Sequence, residues 1–419
     1  METPTPFPIQ DKESTHAVIE IFGGDNNLSS FAVEDLQEMA AGNRGPISIL
    51  ALVDYADQGA HVIEQSPRVG QRIVETWGEI DTGDPATLAN FFARALLTYP
   101  KQRKAIGFWD HGSGVFDEND PEEVLLARAL RSVPRNQRSR SVPARRLFVS
   151  RAALAATPAL RAMLHDDTNG GVLTNYEARG VLNAAFARAG MKSKKVDLIF
   201  SDTCLNGMVE VLEQFKDFAE VCVASEDLEP GDGWDYAAWF RLLSERPPTT
   251  PADWGKQAVE AYRQGYQSRR TSWPCTLAAF HCENVITQEV GRLVKALEKA
   301  GHGGFAAVSE ACNDAQSFAN RDTFDLADLC TLLAGICKDS EVQLTAKAVA
   351  KAVELACVDS VSLGPEVQNA TGLAMWVPRS KRSFEQVEPT YQKLEFDKTV
   401  GWSAFLANHF YARRARAAA

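Results

Sequence analysis

Ala105-Ile106-Gly107-Phe108-Trp109 is an apolar run that stops abruptly at Asp110-His111-Gly112-Ser113-Gly114, a polar cluster rich in glycine. A short apolar run bounded by turn residues reads as a buried strand, and the cluster after it as a loop at the strand's carboxyl end. The same pattern recurs on both sides. Val196–Phe200 runs into Ser201-Asp202-Thr203-Cys204, Ala17–Phe22 runs into Gly23-Gly24-Asp25-Asn26-Asn27, and Ile47–Val53 ends at Asp54. Arg72–Ile80 and Glu220–Ala224 read as further strands. Helical patterns separate them: about Leu28–Ala41, with Leu28, Phe31, Leu36 and Met39 as its apolar stripe, then Pro85–Leu97, Thr174–Ala189 and Gly207–Phe215. Proline suits the first turn at Pro85. Strands alternating with helices predict an α/β fold, a mostly parallel central sheet sandwiched between helices.

Past Asp232 the pattern lengthens. Helices are expected over Pro251–Gln267, Asn284–Ala300, Phe324–Ile336 and Leu344–Ala356, with strands at Leu277–His281 and Leu373–Val377. The Pro247-Pro248 pair marks a seam between an N-terminal domain, residues 1–246, and a helical C-terminal subdomain, residues 247–419, whose strands are able to rejoin the sheet.

Composition narrows the function classes. With 419 residues, 45% of them hydrophobic, the chain can bury a sizeable core. Its apolar runs are strand-sized, far short of the roughly 20 residues that span a bilayer, so no membrane partner is expected. Met1 to Lys12 shows no basic start, apolar stretch or cleavage site, and a cytoplasmic location is the expectation. A net charge of −11 argues against nucleic acid, since phosphate binding needs a basic field. The charge is uneven, however: Val124 to His165 holds nine arginines and no acidic residue. A solvated face is the ordinary reading of such a run. The eight cysteines include no close pair and read as free, mostly buried thiols, and Cys275, His281 and Cys282 lack the spacing of a zinc site.

Ligands bind outside the carboxyl ends of strands in open parallel sheets, and two conspicuous polar clusters lie there, one presenting His111 and the other Cys204. A thiol titrates near 8.5 and needs help to become a nucleophile at neutral pH. A nearby histidine and the N-terminus of a helix starting near Gly207 would raise the thiolate fraction of Cys204. Gly112 has no side chain to block its N–H, which with that of Cys204 would form an oxyanion hole. On these residues alone a plain turn at His111 and a core cysteine at 204 remain open readings.

Phe108-Trp109-Asp110-His111-Gly112-Ser113-Gly114 resembles the histidine motif of the clostripain family of cysteine peptidases, in the clan that also holds gingipains, legumain, separase and caspases. Asp202-Thr203-Cys204-Leu205-Asn206-Gly207-Met208-Val209-Glu210 is similar to its cysteine motif. Gly24-Asp25-Asn26-Asn27-Leu28, Glu34-Asp35-Leu36, Ala224-Ser225-Glu226, Pro230-Gly231-Asp232-Gly233-Trp234 and Thr371-Gly372-Leu373 follow the family's order. The resemblance implies a caspase-like three-layer sandwich extended by a C-terminal subdomain, with Cys204 and His111 as a dyad. It implies an endopeptidase acting on protein or peptide substrates, with arginine or lysine before the cut read by pocket acids, Asp202 and Asp232. A strand-end carboxylate and a loop turn residue are the plain alternatives for these two.

The chain departs from the usual pattern in a long insert at about 116–164. Its arginines, Arg128, Arg131, Arg135, Arg138, Arg140, Arg145, Arg146 and Arg151, are candidate activation sites for a zymogen that cuts itself or is cut by an upstream protease. No cofactor is needed for the chemistry. The family includes members that need calcium, for which Asp117, Glu118, Asp120, Glu122 and Glu123 offer oxygen ligands. Two other readings compete: a catalytically silent caspase-like binding module, and a nucleotide-binding protein, which the lack of a phosphate-cradling glycine loop with lysine disfavours.

Overall fold

The computed structural model describes residues 4–116, 163–230, 233–268 and 274–417. Its strands in chain order are β1 (His16–Gly24), β2 (Ile47–Tyr55), β3 (Ala60–Ser66), β4 (Gly70–Gly78), β5 (Arg103–Trp109), β6 (Leu164–His165), β7 (Val172–Leu173), β8 (Val196–Asp202), β9 (Ala219–Ala224), β10 (Cys275–His281), β11 (Thr323–Asp325), β12 (Cys357–Leu363) and β13 (Ala374–Trp376). Nine of them form one sheet in the order β12-β10-β9-β8-β5-β1-β2-β3-β4. The central five, β9-β8-β5-β1-β2, are parallel, and antiparallel strands complete both edges.

Every residue of β1 and β2 is buried, as expected for strands covered on both faces. Successive residues point to opposite layers. Ile19, Ile21, Leu50 and Leu52 join one apolar core, and Val18, Phe22, Ile49, Ala51 and Val53 join the other. The helices Ser29–Gly42, Tyr236–Glu245 and Pro251–Ser268 fill the second core, while Pro85–Thr98, Asn175–Arg188 and Val285–Ala300 pack into the first. The result is the three-layer sandwich that the alternation of elements predicts.

The strands before the seam and those after it share the sheet, because β10 pairs with β9 and with β12. Two strands of this sheet are unexpected from sequence, as are the short β6, β7 and β11 outside it, the last lying where the helix Phe324–Ile336 was expected to begin. β3 mixes His61, Glu64 and Gln65 among its apolar residues, and β12 follows the helix Ser340–Ala356 without a loop. No helix among the described residues is long and apolar enough to cross a membrane.

Candidate active site

The parallel register of β5 and β8 sets Trp109 opposite Asp202, and the Asp110 N–H donates to the Asp202 carbonyl at 3.4 Å. His111 and Cys204 each lie two residues beyond this pair, so two loops 93 positions apart in sequence leave the sheet side by side. Gly112 is pressed against the second loop. A Cβ there would stand 2.9 Å from the Cys204 nitrogen and 2.7 Å from the Thr203 Cβ, contacts that side chains do not tolerate. Neither the Gly112 nor the Cys204 N–H is taken by a backbone acceptor among the described residues.

After Cys204 the chain makes a tight turn in which Leu205 adopts φ 62°, a left-handed conformation costly for a branched side chain. The Leu205 N–H bond to the Asp227 carbonyl, 3.1 Å, helps hold it. The helix expected from Gly207 starts instead at Val209. Gly207 is committed elsewhere: its N–H donates to the Ser225 carbonyl at 2.6 Å, and its own carbonyl accepts from the Ala374 N–H at 2.8 Å. Cys204 therefore stands five residues ahead of a short helix, beyond the first-turn reach of its dipole.

His111 is buried and faces Asn27, whose Oδ1 lies 2.9 Å from Nε2. An amide oxygen only accepts, so Nε2 carries the proton and Nδ1 keeps a lone pair; Nδ1 has no partner among the described residues. Burial, and then the neighbouring His165, lower its pKa to about 3, so the ring is neutral. Asp110 organises the loop beside it. This buried carboxylate accepts from the His111 N–H at 2.6 Å, the His165 N–H at 2.5 Å and the Asn26 side-chain amide at 2.9 Å. The β1 turn, the end of β5 and β6 are thereby tied together.

Cys204 is buried too, and its sulfur accepts one hydrogen bond, from the Glu229 N–H at 3.3 Å. Burial pushes the thiol up, and the carboxylates of Glu229, Asp227 and Asp202 push the same way. This is the reverse of the lowered thiol pKa expected from the sequence. The helix starts too late to help, the imidazole is neutral, and the nearest ionisable groups are acids.

Beneath the thiol lies a group of acids. Asp202 and Glu229 are wholly buried, and both oxygens of Asp202 lack a hydrogen-bond partner among the described residues. Burial raises the Asp202 pKa, while the Tyr236 hydroxyl and the Trp234 backbone, near but outside bonding geometry, pull it down a little. Glu229 accepts from the Tyr262 hydroxyl at 2.6 Å, Glu20 from the Tyr236 hydroxyl at 3.1 Å, and Asp35 from the Trp109 indole at 2.7 Å. Asp232, the eight candidate cleavage arginines of the insert and its carboxylates Asp117, Glu118, Asp120, Glu122 and Glu123 lie outside the described residues.

Asn27, His165 and Glu229 went unassigned in the sequence. Asn27 sits in a quoted motif, but nothing in its neighbours says that it reaches an imidazole 84 positions away. Glu229 follows the Ser225-Glu226 strand end, and an acid placed shortly after such an end was the available signal.

The clostripain-family model matches residues 21–129 and 152–409. Among solved structures, a secreted C11 cysteine protease from Bacteroides thetaiotaomicron in complex with an irreversible peptide inhibitor superposes with a TM-score of 0.65 at 18% identity, covering 93% of this chain and 99% of that one. An inactive zymogen C11 protease from Parabacteroides distasonis gives 0.62 at 15% identity, covering 94% and 99%. At these identities the likeness speaks for the fold. No curated protein matches the sequence.

Proposed function

Since the chain belongs to the clostripain family of cysteine peptidases, we propose that it is an endopeptidase in which Cys204 attacks the scissile carbonyl and His111 moves the protons. The observation that carries this reading is the register of β5 and β8, which sets the two loops side by side with Gly112 against the Cys204 backbone. With Nε2–H held by Asn27, Nδ1 is the atom that takes the thiol proton. Sulfur bonds to the carbonyl carbon and the carbonyl oxygen becomes an oxyanion, met by the Gly112 and Cys204 N–H groups. Collapse breaks the C–N bond, the imidazolium protonates the leaving amine, and water then cleaves the thioester, losing its proton to the same nitrogen.

Asp202, with Glu229 beside it, suits a substrate arginine or lysine, because a buried carboxylate without a partner gains most from a cation. Asp232 is the further pocket acid of this reading. The uncut chain is a resting form: Cys204 is 1% exposed and His111 3%, and the thiol is held protonated. Activation by a cut after arginine in the insert fits two facts. The family model leaves residues 130–151 unmatched, and the described ends of the insert abut the site, with Ser113 donating to the Phe116 carbonyl and His165 to Asp110.

Fluorogenic peptides test the reading. Activity after arginine or lysine is expected in the wild type and lost in both Cys204→Ala and His111→Ala, each still folded by circular dichroism. Retained activity in Cys204→Ala would remove the nucleophile assignment.

A further inference from the structure

Away from the thiol, on the far side of the β1 turn, four carboxylates converge: Asp25 after β1, Asp54 in β2, Glu79 after β4 and Asp166 after β6. One oxygen from each lies within 4.8 Å of all the others. That spread is about the diameter of the oxygen shell around calcium, whose ligands sit at roughly 2.3–2.6 Å. Their hydrogen-bond donors among the described residues are few: the Thr168 N–H to Asp25, the Thr82 and Asn169 N–H groups to Asp166, and the Asn169 amide to Glu79. No lysine or arginine among the described residues pairs with any of the four.

Asp54 is 0% exposed, neither of its carboxylate oxygens has a hydrogen-bond partner among the described residues, and it faces the other three acids. A buried carboxylate left in this way is costly unless something positive completes it.

We propose that Asp25, Asp54, Glu79 and Asp166 bind a divalent cation of the calcium type. Only oxygens are offered, which selects a hard ion over zinc. The four ligands come from separate segments, and Glu79 stands on the exposed rim. Such a site suits calcium's variable shell better than the strict octahedron of magnesium. The cation would fix the turn that carries Asn27, the partner of His111 Nε2, and the segment that carries His165, the donor to Asp110. It would so act as a support behind the proposed catalytic loop, at residues distinct from the acidic run in the insert.

The test uses the full-length Cys204→Ala chain, which keeps binding independent of peptidase activity. After chelation and dialysis, calcium chloride is titrated by calorimetry and the melting temperature is followed in parallel. Binding should raise the melting temperature by several degrees, and Asp54→Asn and Glu79→Gln should each weaken affinity at least tenfold. In chelator, Asp54→Asn should be no less stable than its parent, since it removes a buried acid crowded among other carboxylates. Should Asp54→Asn fail to fold, the exposed Glu79→Gln carries the comparison. Absence of both heat and thermal shift at millimolar calcium would overturn the proposal. So would a shift that survives both substitutions yet vanishes when Asp117, Glu118 and Asp120 are changed to Asn, Gln and Asn.

Discussion

Asp202 combines complete burial with two unpartnered oxygens, and burial raises its carboxyl to about 7. A carboxyl raised above its unfolded value of 3.8 contributes stability that is present in acid and lost as pH climbs through about 7. Asp202→Asn removes that dependence. It should be more stable than wild type at pH 8, by an amount on the order of a few kcal/mol, with the difference gone near pH 4, as measured by urea unfolding. The same substitution should cost arginine substrates at least about a hundredfold in kcat/KM, because a buried guanidinium would lose its partner. Gly112→Ala should abolish activity or folding, since its Cβ would strike the Cys204 backbone. At this scale the sequence placed Asp202 at a strand end and His111 and Cys204 in the loops just beyond two strand ends, as the structure has them. It was silent on Asn27, His165 and Glu229, whose roles come from elements that meet only in the fold, and it erred on the thiol, whose surroundings are acidic rather than electropositive.

The helix Asn175–Arg188 shows how an element reports on the site. Thr174 and Glu177 close its N-terminus reciprocally, the Thr174 hydroxyl accepting from the Glu177 N–H at 3.1 Å and the Glu177 carboxylate from the Thr174 N–H at 3.0 Å. Next in the chain, the buried Asn175 amide donates to the Gly114 carbonyl at 2.6 Å, in the loop after His111. Thr174→Ala should therefore cost about 1 kcal/mol of stability with kcat unchanged. Asn175→Ala should lower kcat as well, because it frees the loop. Caps of this kind are local and were legible, as the expected start at Thr174 indicates. The start at Val209 was not, because Gly207 is bound by Ser225 and by Ala374, 167 positions away. β3 and β12 escaped for a related reason, their polar residues being accommodated by sheet neighbours that a window of sequence does not contain.

Across the whole molecule, His111 and Cys204 belong to halves joined through the β5–β8 pairing, with the insert between them. A chain cut between Arg128 and Arg151 should thus elute from a sizing column at the volume of the intact protein and separate into two fragments only in denaturant. Replacing the arginines of that window with alanine should leave an uncut, poorly active chain. The layered sheet was readable from alternating strands and helices, whereas the edge order, which brings β10 and β12 into the same sheet, depends on contacts across the seam at Pro247-Pro248. The most direct test of the central claim is covalent. Chain cleaved in the insert is incubated with a peptide electrophile carrying arginine next to its reactive group, and the adduct is mapped by mass spectrometry. One adduct on Cys204, lost in His111→Ala and slowed in Asp202→Asn, is the result predicted; labelling of any other of the eight cysteines in place of Cys204, or at a rate indifferent to His111, would contradict it.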